Sequence, residues 1–185
     1  MKPVLFVFLA ALAVHPVRAA APLEGDPVDC VNPLSGTDSD GEFSRGNTVP
    51  AIVAPFGMTT WAPQTDGSVS PFYQMKHGRF EGIRATHQPS IWVRDYGNFL
   101  IMPVVGEWKG SNKDRSSEFS HDKESARPYH YTVELPRYRT TLELVPTERC
   151  SVFQFAFPTG TEAKVVFDAE GEIDVAYDSE KRRIR

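Results

Sequence analysis

Apolar and polar residues alternate with a period of two in three stretches of the chain. The stretches are 129–135, 152–157 and 173–178, and each gathers its aromatic or aliphatic residues on one face. Alternation of this kind predicts a β-strand with one buried and one exposed face. The spacing of three and four residues that marks an amphipathic helix is not sustained anywhere. We therefore expect an all-β protein.

Further patterns indicate how the strands connect. Residues 98–105 form a continuous apolar run, which predicts a strand buried on both faces, with Pro103 at a bulge or an edge. A turn around Gly171 predicts a hairpin between residues 165–167 and the stretch from Ile173 onward. The polar turn 178–183 predicts a second hairpin, whose return strand begins at Ile184. The fold class that these patterns indicate is an antiparallel β-sandwich, incomplete at its C-terminal end, and we expect the front part of a longer protein.

The intervals between these strands are rich in polar and turn-forming residues. We expect a long irregular segment over residues 23–50 and loops over 62–80 and 108–126. Residues 116–126 predict either a charged loop or one short helix.

The N-terminus has the pattern of a secretory signal peptide. Lys2 supplies a positive charge, residues 4–14 are apolar, and Val17 and Ala19 are small residues at the positions that a signal peptidase requires. The apolar run is too short to span a bilayer as a helix, and no other segment approaches that length. We therefore expect a signal peptide over residues 1–19 and a mature domain over 20–185. This signal peptide would direct the protein to secretion, into the periplasm or the extracellular space.

Composition excludes some functional classes. The chain has 185 residues and a formal net charge of −4, with 20 Lys and Arg against 24 Asp and Glu. It lacks the basic surface that nucleic-acid binding requires. The two cysteines are too few for a disulfide scaffold or a cysteine-based zinc site. After export, Cys30 and Cys150 either form a disulfide or remain two free thiols, and the sequence leaves both open.

The densest group of chemically useful side chains lies in residues 84–98. This stretch holds arginine, histidine, glutamine, tryptophan, aspartate and asparagine immediately before the apolar strand. An aromatic face and planar polar groups are what a sugar-binding site needs. The alternative is structural: Trp92 belongs to the core, and Asp95 pairs with Arg84 or Arg94. Spacing singles out no carboxylate pair for glycoside hydrolysis. The candidates are Glu81, Asp95, Glu107, Glu134 and Glu148.

Four segments resemble, in the same order, the N-terminal domain of glycoside hydrolase family 92, the calcium-dependent exo-α-mannosidases. They are Val31–Thr37, Gly46–Thr65 without residues 51–53, Gly82–Gly106, and the pair Ala126–Tyr131 and Pro146–Arg149. The ordered set is more specific than any one segment.

The resemblance implies a galactose-mutarotase-like supersandwich that precedes a helical barrel in the same polypeptide. It implies removal of terminal α-mannose from N-glycan-type substrates with inversion, assisted by calcium. The family's catalytic acid, its base and most calcium ligands lie in the helical domain. No catalytic residue or metal ligand is therefore assigned in this chain, and the chain alone is expected to be inactive.

The resemblance also implies which side chains line the sugar pocket. These are His87, Gln88, Trp92 and Asp95, together with Asn47 in the turn that follows Gly46. Trp92 would stack on a sugar, and the others would bind hydroxyl groups or position the loop. Two alternatives remain: a stand-alone carbohydrate-binding or protein-docking module, and a truncated product that aggregates through its open edge.

Overall fold

The computed structural model describes residues 25–39, 48–66, 73–86, 99–107, 110–169 and 176–184. These residues form eleven strands, one four-residue α-helix and three short 3-10 helices. The strands are β1 Thr60–Thr65, β2 Arg79–Thr86, β3 Phe99–Val105, β4 Ser117–Glu118, β5 Glu124–Arg127, β6 His130–Leu135, β7 Thr140–Pro146, β8 Ser151–Ala156, β9 Ala163–Ala169, β10 Tyr177–Asp178 and β11 Arg183–Ile184. The helix α1 is Asn112–Arg115, and the 3-10 helices are Pro27–Cys30, His121–Lys123 and Pro136–Tyr138.

The strands form two main antiparallel sheets and one small ribbon. The first sheet has the order β1-β2-β3-β9, and β4 also pairs with β2. The second sheet has the order β5-β6-β7-β8, while β10 pairs with β11. The predicted antiparallel β-sandwich is confirmed. No helix in the described residues combines the length and the apolar character that crossing a bilayer requires.

The two sheets share one hydrophobic core because alternate residues of their strands point toward each other. The first sheet contributes Trp61, Ile83 and Ile101, and the second contributes Tyr131 and Leu142, all buried. Burying such large side chains supplies the main free energy that holds a sandwich together.

The strands with the clearest patterns are where the sequence predicts them. Residues 130–135 and 151–156 alternate in burial, and the buried run 99–105 forms β3. The β3 residue Pro103 pairs with Val165 of β9, whereas the pairing of β3 with β2 ends at Ile101. Pro103 is therefore at an edge on one side, as predicted. The terminal hairpin is confirmed by the β10–β11 pairing. The turn of the predicted hairpin around Gly171 lies outside the described residues.

Two predicted loops were wrong in part. The interval 62–80 contains most of β1 and the start of β2, and 108–126 contains α1, β4 and part of β5. All six residues of β1 are buried, including the polar residues Gln64 and Thr65. The strand therefore lacks the alternation of buried and exposed positions that a sequence pattern can reveal. The short helix lies at 112–115, before the interval 116–126.

Candidate functional site

The predicted sugar-binding residues lie on two segments that the described ranges do not include. Four of them, His87, Gln88, Trp92 and Asp95, belong to residues 87–98, and Asn47 belongs to residues 40–47. All five lie outside the described residues, so their roles stay predictions. What is described is the scaffold that carries segment 87–98, because that segment joins the end of β2 to the start of β3.

Several chain segments meet at the end of the sandwich from which segment 87–98 leaves. We call it the loop end, and define it by Thr86, Phe99, residues 53–59 and the turn 147–150. The Met58 amide donates a hydrogen bond to the Glu148 carbonyl oxygen at 2.7 Å. The Thr59 hydroxyl donates to the Arg149 carbonyl oxygen at 3.4 Å. These bonds connect the segment before β1 to the β7–β8 turn, so the loop end is built from both sheets.

A cleft of about 480 Å³ opens between the sheets at the loop end. Its lining is Thr59, Trp61, Ala85, Thr86, Phe99, Ile101, Arg149, Cys150, Ser151, Phe153 and Phe167. Trp61 packs edge-to-face against Phe99 and Phe153, with ring centroids 6.0 and 5.2 Å apart. Among the described residues, no hydrogen-bond partner is found for the buried Trp61 Nε1 or the buried Ser151 Oγ. The described part of the cleft wall is therefore chiefly aromatic.

Three hydrogen-bonded polar side chains, two of them buried, lie next to the base of segment 87–98. Arg84 Nε donates to Gln64 Oε1 at 2.6 Å, and Gln64 Nε2 donates to Glu81 Oε2 at 2.7 Å. Gln64 is 3% exposed and Glu81 is 2% exposed. A carboxylate, an amide and a guanidinium in this order satisfy one another, because each donor meets an acceptor. The arrangement holds Arg84 in place three residues before His87.

A β-bulge makes this chain of side chains possible. Gln64 pairs with Gly82 while Thr65 pairs with Phe80, so Glu81 is the extra residue of β2. Gly82 has a φ of +144°, and a Cβ built there would lie 2.6 Å from the Ile101 carbonyl oxygen. Only glycine fits so close to β3 with this backbone. Glu81 was a candidate carboxylate in the sequence, but its link to Gln64 depends on the bulge and has no sequence signal.

A second buried polar cluster centres on Glu124. Tyr73 and Tyr131 each donate a hydroxyl hydrogen bond to the Glu124 carboxylate, at 2.7 and 2.6 Å. The His121 Nδ1 lies 2.7 Å from the same carboxylate. Burial raises the pKa of both tyrosines, and the Glu124 charge raises it further. This cluster joins the segment before β2 to β5 and β6, which is a structural role.

The other ionisable candidates are distributed differently. Glu107, Glu134 and Glu148 are exposed, and Glu134 lies 3.5 Å from the Lys123 ammonium group. Cys30 and Cys150 are both exposed and form no disulfide, so the structure shows the free thiols, one of the two alternatives that the sequence leaves open. Among the described residues, no three side chains of His, Cys, Asp or Glu are grouped so that they could hold a metal ion. The described residues therefore do not form a site for a calcium ion.

Comparison with known proteins identifies the family of this fold. The sequence profile of the glycosyl hydrolase family 92 N-terminal domain matches residues 30–184. An uncharacterized secreted glycosidase of Arthroderma benhamiae is 26% identical over 158 residues, which cover 81% of this chain and 20% of that protein.

Two solved structures from Bacteroides thetaiotaomicron have the same fold. A family GH92 inverting mannosidase superposes with a TM-score of 0.68 at 46% identity, over 76% of this chain and 19% of that one. A family GH92 alpha-mannosidase superposes with a TM-score of 0.65 at 34% identity, over 77% of this chain and 20% of that one.

The chain thus spans about a fifth of the length of the relatives that it matches. The matched region includes both sheets and the loop end. From the profile match and the shared sandwich, the chain belongs to the N-terminal domain family of glycosyl hydrolase family 92.

Proposed function

We propose that this chain forms the N-terminal sandwich of an exo-acting α-mannosidase that removes terminal mannose from N-glycan-type substrates with inversion. The observation that carries the proposal is the 46% identity, over 76% of this chain, to a family GH92 inverting mannosidase. The second mannosidase, at 34% identity, supports the same class of substrate.

The proposal divides the work between two parts of one polypeptide. Inverting hydrolysis needs a carboxylic acid that protonates the leaving oxygen and a carboxylate that activates water on the opposite face of the sugar. Glu81 is buried and accepts a hydrogen bond from Gln64, so it is not free for either task. We assign the acid, the base and the calcium ligands to a helical domain of the full-length enzyme, outside this chain.

The role of this chain is then to supply part of the pocket wall. Trp92 stacks on the mannose ring, and hydroxyl groups are bound by His87, Gln88, Asp95 and Asn47. A binding loop needs a rigid base so that its side chains stay close to the productive geometry. The hydrogen-bonded side chains of Glu81, Gln64 and Arg84 provide such a base at the end of β2.

The experiment that tests this division is an assay of the chain alone. We expect no release of 4-nitrophenol from 4-nitrophenyl α-mannoside, with calcium or with a chelator present. A full-length α-mannosidase of this family serves as the positive control for the assay conditions. Calcium-dependent turnover by the chain alone would place the acid and the base within these 185 residues and contradict the division.

The proposal includes export through the signal peptide over residues 1–19. The fungal relative is named a secreted glycosidase, which supports export of this family member. Expressed in its native type of cell, the mature protein is expected to begin at Ala20 or Ala21 when its N-terminus is sequenced. A mature protein that still begins at Met1 would contradict export by this route.

A further inference from the structure

The strand β8 forms an open edge of the second sheet. Among the described strands it pairs with β7 alone, so the backbone groups on its other side have no strand partner there. Unpaired N–H and C=O groups along an edge are a template on which another strand can pair. Proteins usually protect such an edge with charged side chains, with proline or by keeping the strand very short. An edge without these devices is a surface for strand addition.

Of the four strands that end the two main sheets in the described part of the chain, β8 is the one without protection. The edge strand β1 contains Pro63, and β5 contains the exposed Arg127. The edge strand β9 contains Lys164 and Asp168. By contrast, β8 has the sequence SVFQFA, with no charge and no proline over its six residues. Uncharged segments that are rich in aromatic and β-branched residues pair readily with one another.

Apolar side chains on both faces of β8 are partly in contact with water. On the inner face, Phe153 and Phe155 are half-buried against the core, and their rings stack with centroids 5.9 Å apart. Phe157 continues the row, 6.0 Å from the Phe155 ring. On the outer face, Val152 is 64% exposed. A strand that is added beside β8 would cover both the aromatic row and Val152, so its own side chains must be apolar as well.

We propose that the strand which covers β8 is β8 of a second copy, paired antiparallel across a two-fold axis. With Gln154 on the axis, Phe153 of each copy lies opposite Phe155 of the other on the inner face. Val152 of each copy lies opposite Ala156 of the other on the outer face. Such cross-strand pairs stabilise antiparallel strands, and the two-fold axis makes each of them occur twice. The dimer joins two four-stranded sheets into one sheet of eight strands.

Charge and size set the strength of this dimer. Within the paired strands no like charges meet, because β8 carries none. Antiparallel pairing brings the turn 147–150 of one copy toward residues 157–162 of the other. This places Arg149 and Glu162, which are exposed and opposite in charge, at the same end of the interface.

The paired surface is small. A six-residue strand covers less area than the roughly 1,200–2,000 Å² of a stable interface. We therefore expect a weak dimer, with a dissociation constant on the order of 10–100 μM. The inference does not depend on the proposed mannosidase function.

The test is sedimentation velocity of residues 20–185 between about 5 and 500 μM, which brackets the expected dissociation constant. We expect a concentration-dependent dimer and no larger species, because a two-fold axis closes the assembly. Gln154→Lys and Gln154→Glu each place two like charges opposite one another on the axis, and each should weaken dimerisation by about fivefold or more. An equimolar mixture of the two variants places an ammonium group opposite a carboxylate and should restore the dimer.

Thr132 supplies the matched control. It lies on the interior strand β6 and pairs with Glu143 of β7, as Gln154 does from the other side. Thr132→Lys and Thr132→Glu therefore make the same charge changes beside the same neighbour, and they should leave the dimer unchanged. The proposal is overturned if the protein is monomeric over the whole range or forms larger assemblies. It is also overturned if the Thr132 and Gln154 variants weaken association equally, or if the mixture of Gln154 variants fails to restore the dimer.

Discussion

At the scale of single residues, two positions have a positive φ, a backbone conformation that residues with a Cβ rarely adopt. Phe56 has a φ of +60° in a turn where the Gly57 amide donates to the Ala54 carbonyl oxygen at 2.8 Å. Its ring is fully exposed. Gly82, by contrast, occupies a position where no other residue fits. Substitutions at both positions should change the free energy of unfolding, in opposite directions.

Replacing Phe56 with glycine is expected to stabilise the protein. The left-handed conformation costs a residue with a Cβ roughly 1–2 kcal/mol, and glycine avoids it at an entropic cost of about 0.5–1 kcal/mol. We expect a net gain of about 0.5–1 kcal/mol in urea unfolding. Phe56→Ala is the control, because it keeps the Cβ and loses only an exposed ring. A gain of the same size in Phe56→Ala would show that backbone strain is not the cause.

Gly82→Ala is expected to destabilise the protein by about 2–4 kcal/mol, because the new Cβ collides with the Ile101 carbonyl oxygen. Gly78→Ala is the matched control. A Cβ at Gly78 meets no atom within 4 Å, so its effect should stay within about 0.5 kcal/mol. Equal effects of the two substitutions would mean that the close approach of β2 and β3 is wrong.

At the scale of elements, buried polar side chains decide how strands and connecting segments are held together. The Glu124 cluster joins the segment that contains Tyr73 to β5 and β6. Removing one hydroxyl leaves the buried carboxylate with one donor fewer. Tyr131→Phe should therefore cost about 1–3 kcal/mol of unfolding free energy. Tyr129→Phe is the control, since its hydroxyl bonds to Asp29 at an exposed site, and little change is expected there. Equal losses in the two variants would contradict the role given to Glu124.

The same cluster predicts how stability depends on alkaline pH. Burial and the Glu124 charge raise the pKa of Tyr73 and Tyr131 in the folded state above the ordinary value of about 10. Above pH 10 the unfolded chain therefore loses these protons while the folded protein keeps them. The unfolding free energy should fall by about 1.4 kcal/mol per pH unit for each tyrosine. Urea titrations between pH 9 and 11 check this, and Tyr131→Phe should reduce the slope. A slope that Tyr131→Phe leaves unchanged would contradict the prediction.

The sequence predicts most strands whose apolar residues form an alternating or continuous pattern, but it misses β7, which alternates, and β1, whose polar residues are buried. The strands β3, β6 and β8 follow from their apolar patterns, as does the terminal hairpin. The strand β7 also alternates, since Thr140, Leu142 and Leu144 are buried. Its sequence therefore carries the pattern of a half-buried strand. The strand β1 carries no such pattern, because the polar residues Gln64 and Thr65 are buried. They form hydrogen bonds to partners that only the fold brings near.

At the scale of the whole molecule, the sandwich brings parts of three resembling segments to one end. Thr86 and Phe99, residues 53–59 and the turn 147–150 come from three distant parts of the sequence and meet at the loop end. Sequence pattern alone predicts the polar loop but not its support, because Gln64 and Glu81 are 17 residues apart and meet only through the bulge. The sugar-binding roles rest on the resemblance to the family and remain proposals.

The central claim is that the loop end of this sandwich presents a wall of a mannose pocket. The most direct test is a titration of the protein with methyl α-mannoside, followed by amide and indole resonances, with methyl α-galactoside as the control sugar. We predict shifts for the Trp92 indole, assigned with Trp92→Phe, and for Thr86 and Phe99. The residues around Glu124 should not shift. No change at the loop end, or equal changes with both sugars, would contradict the claim.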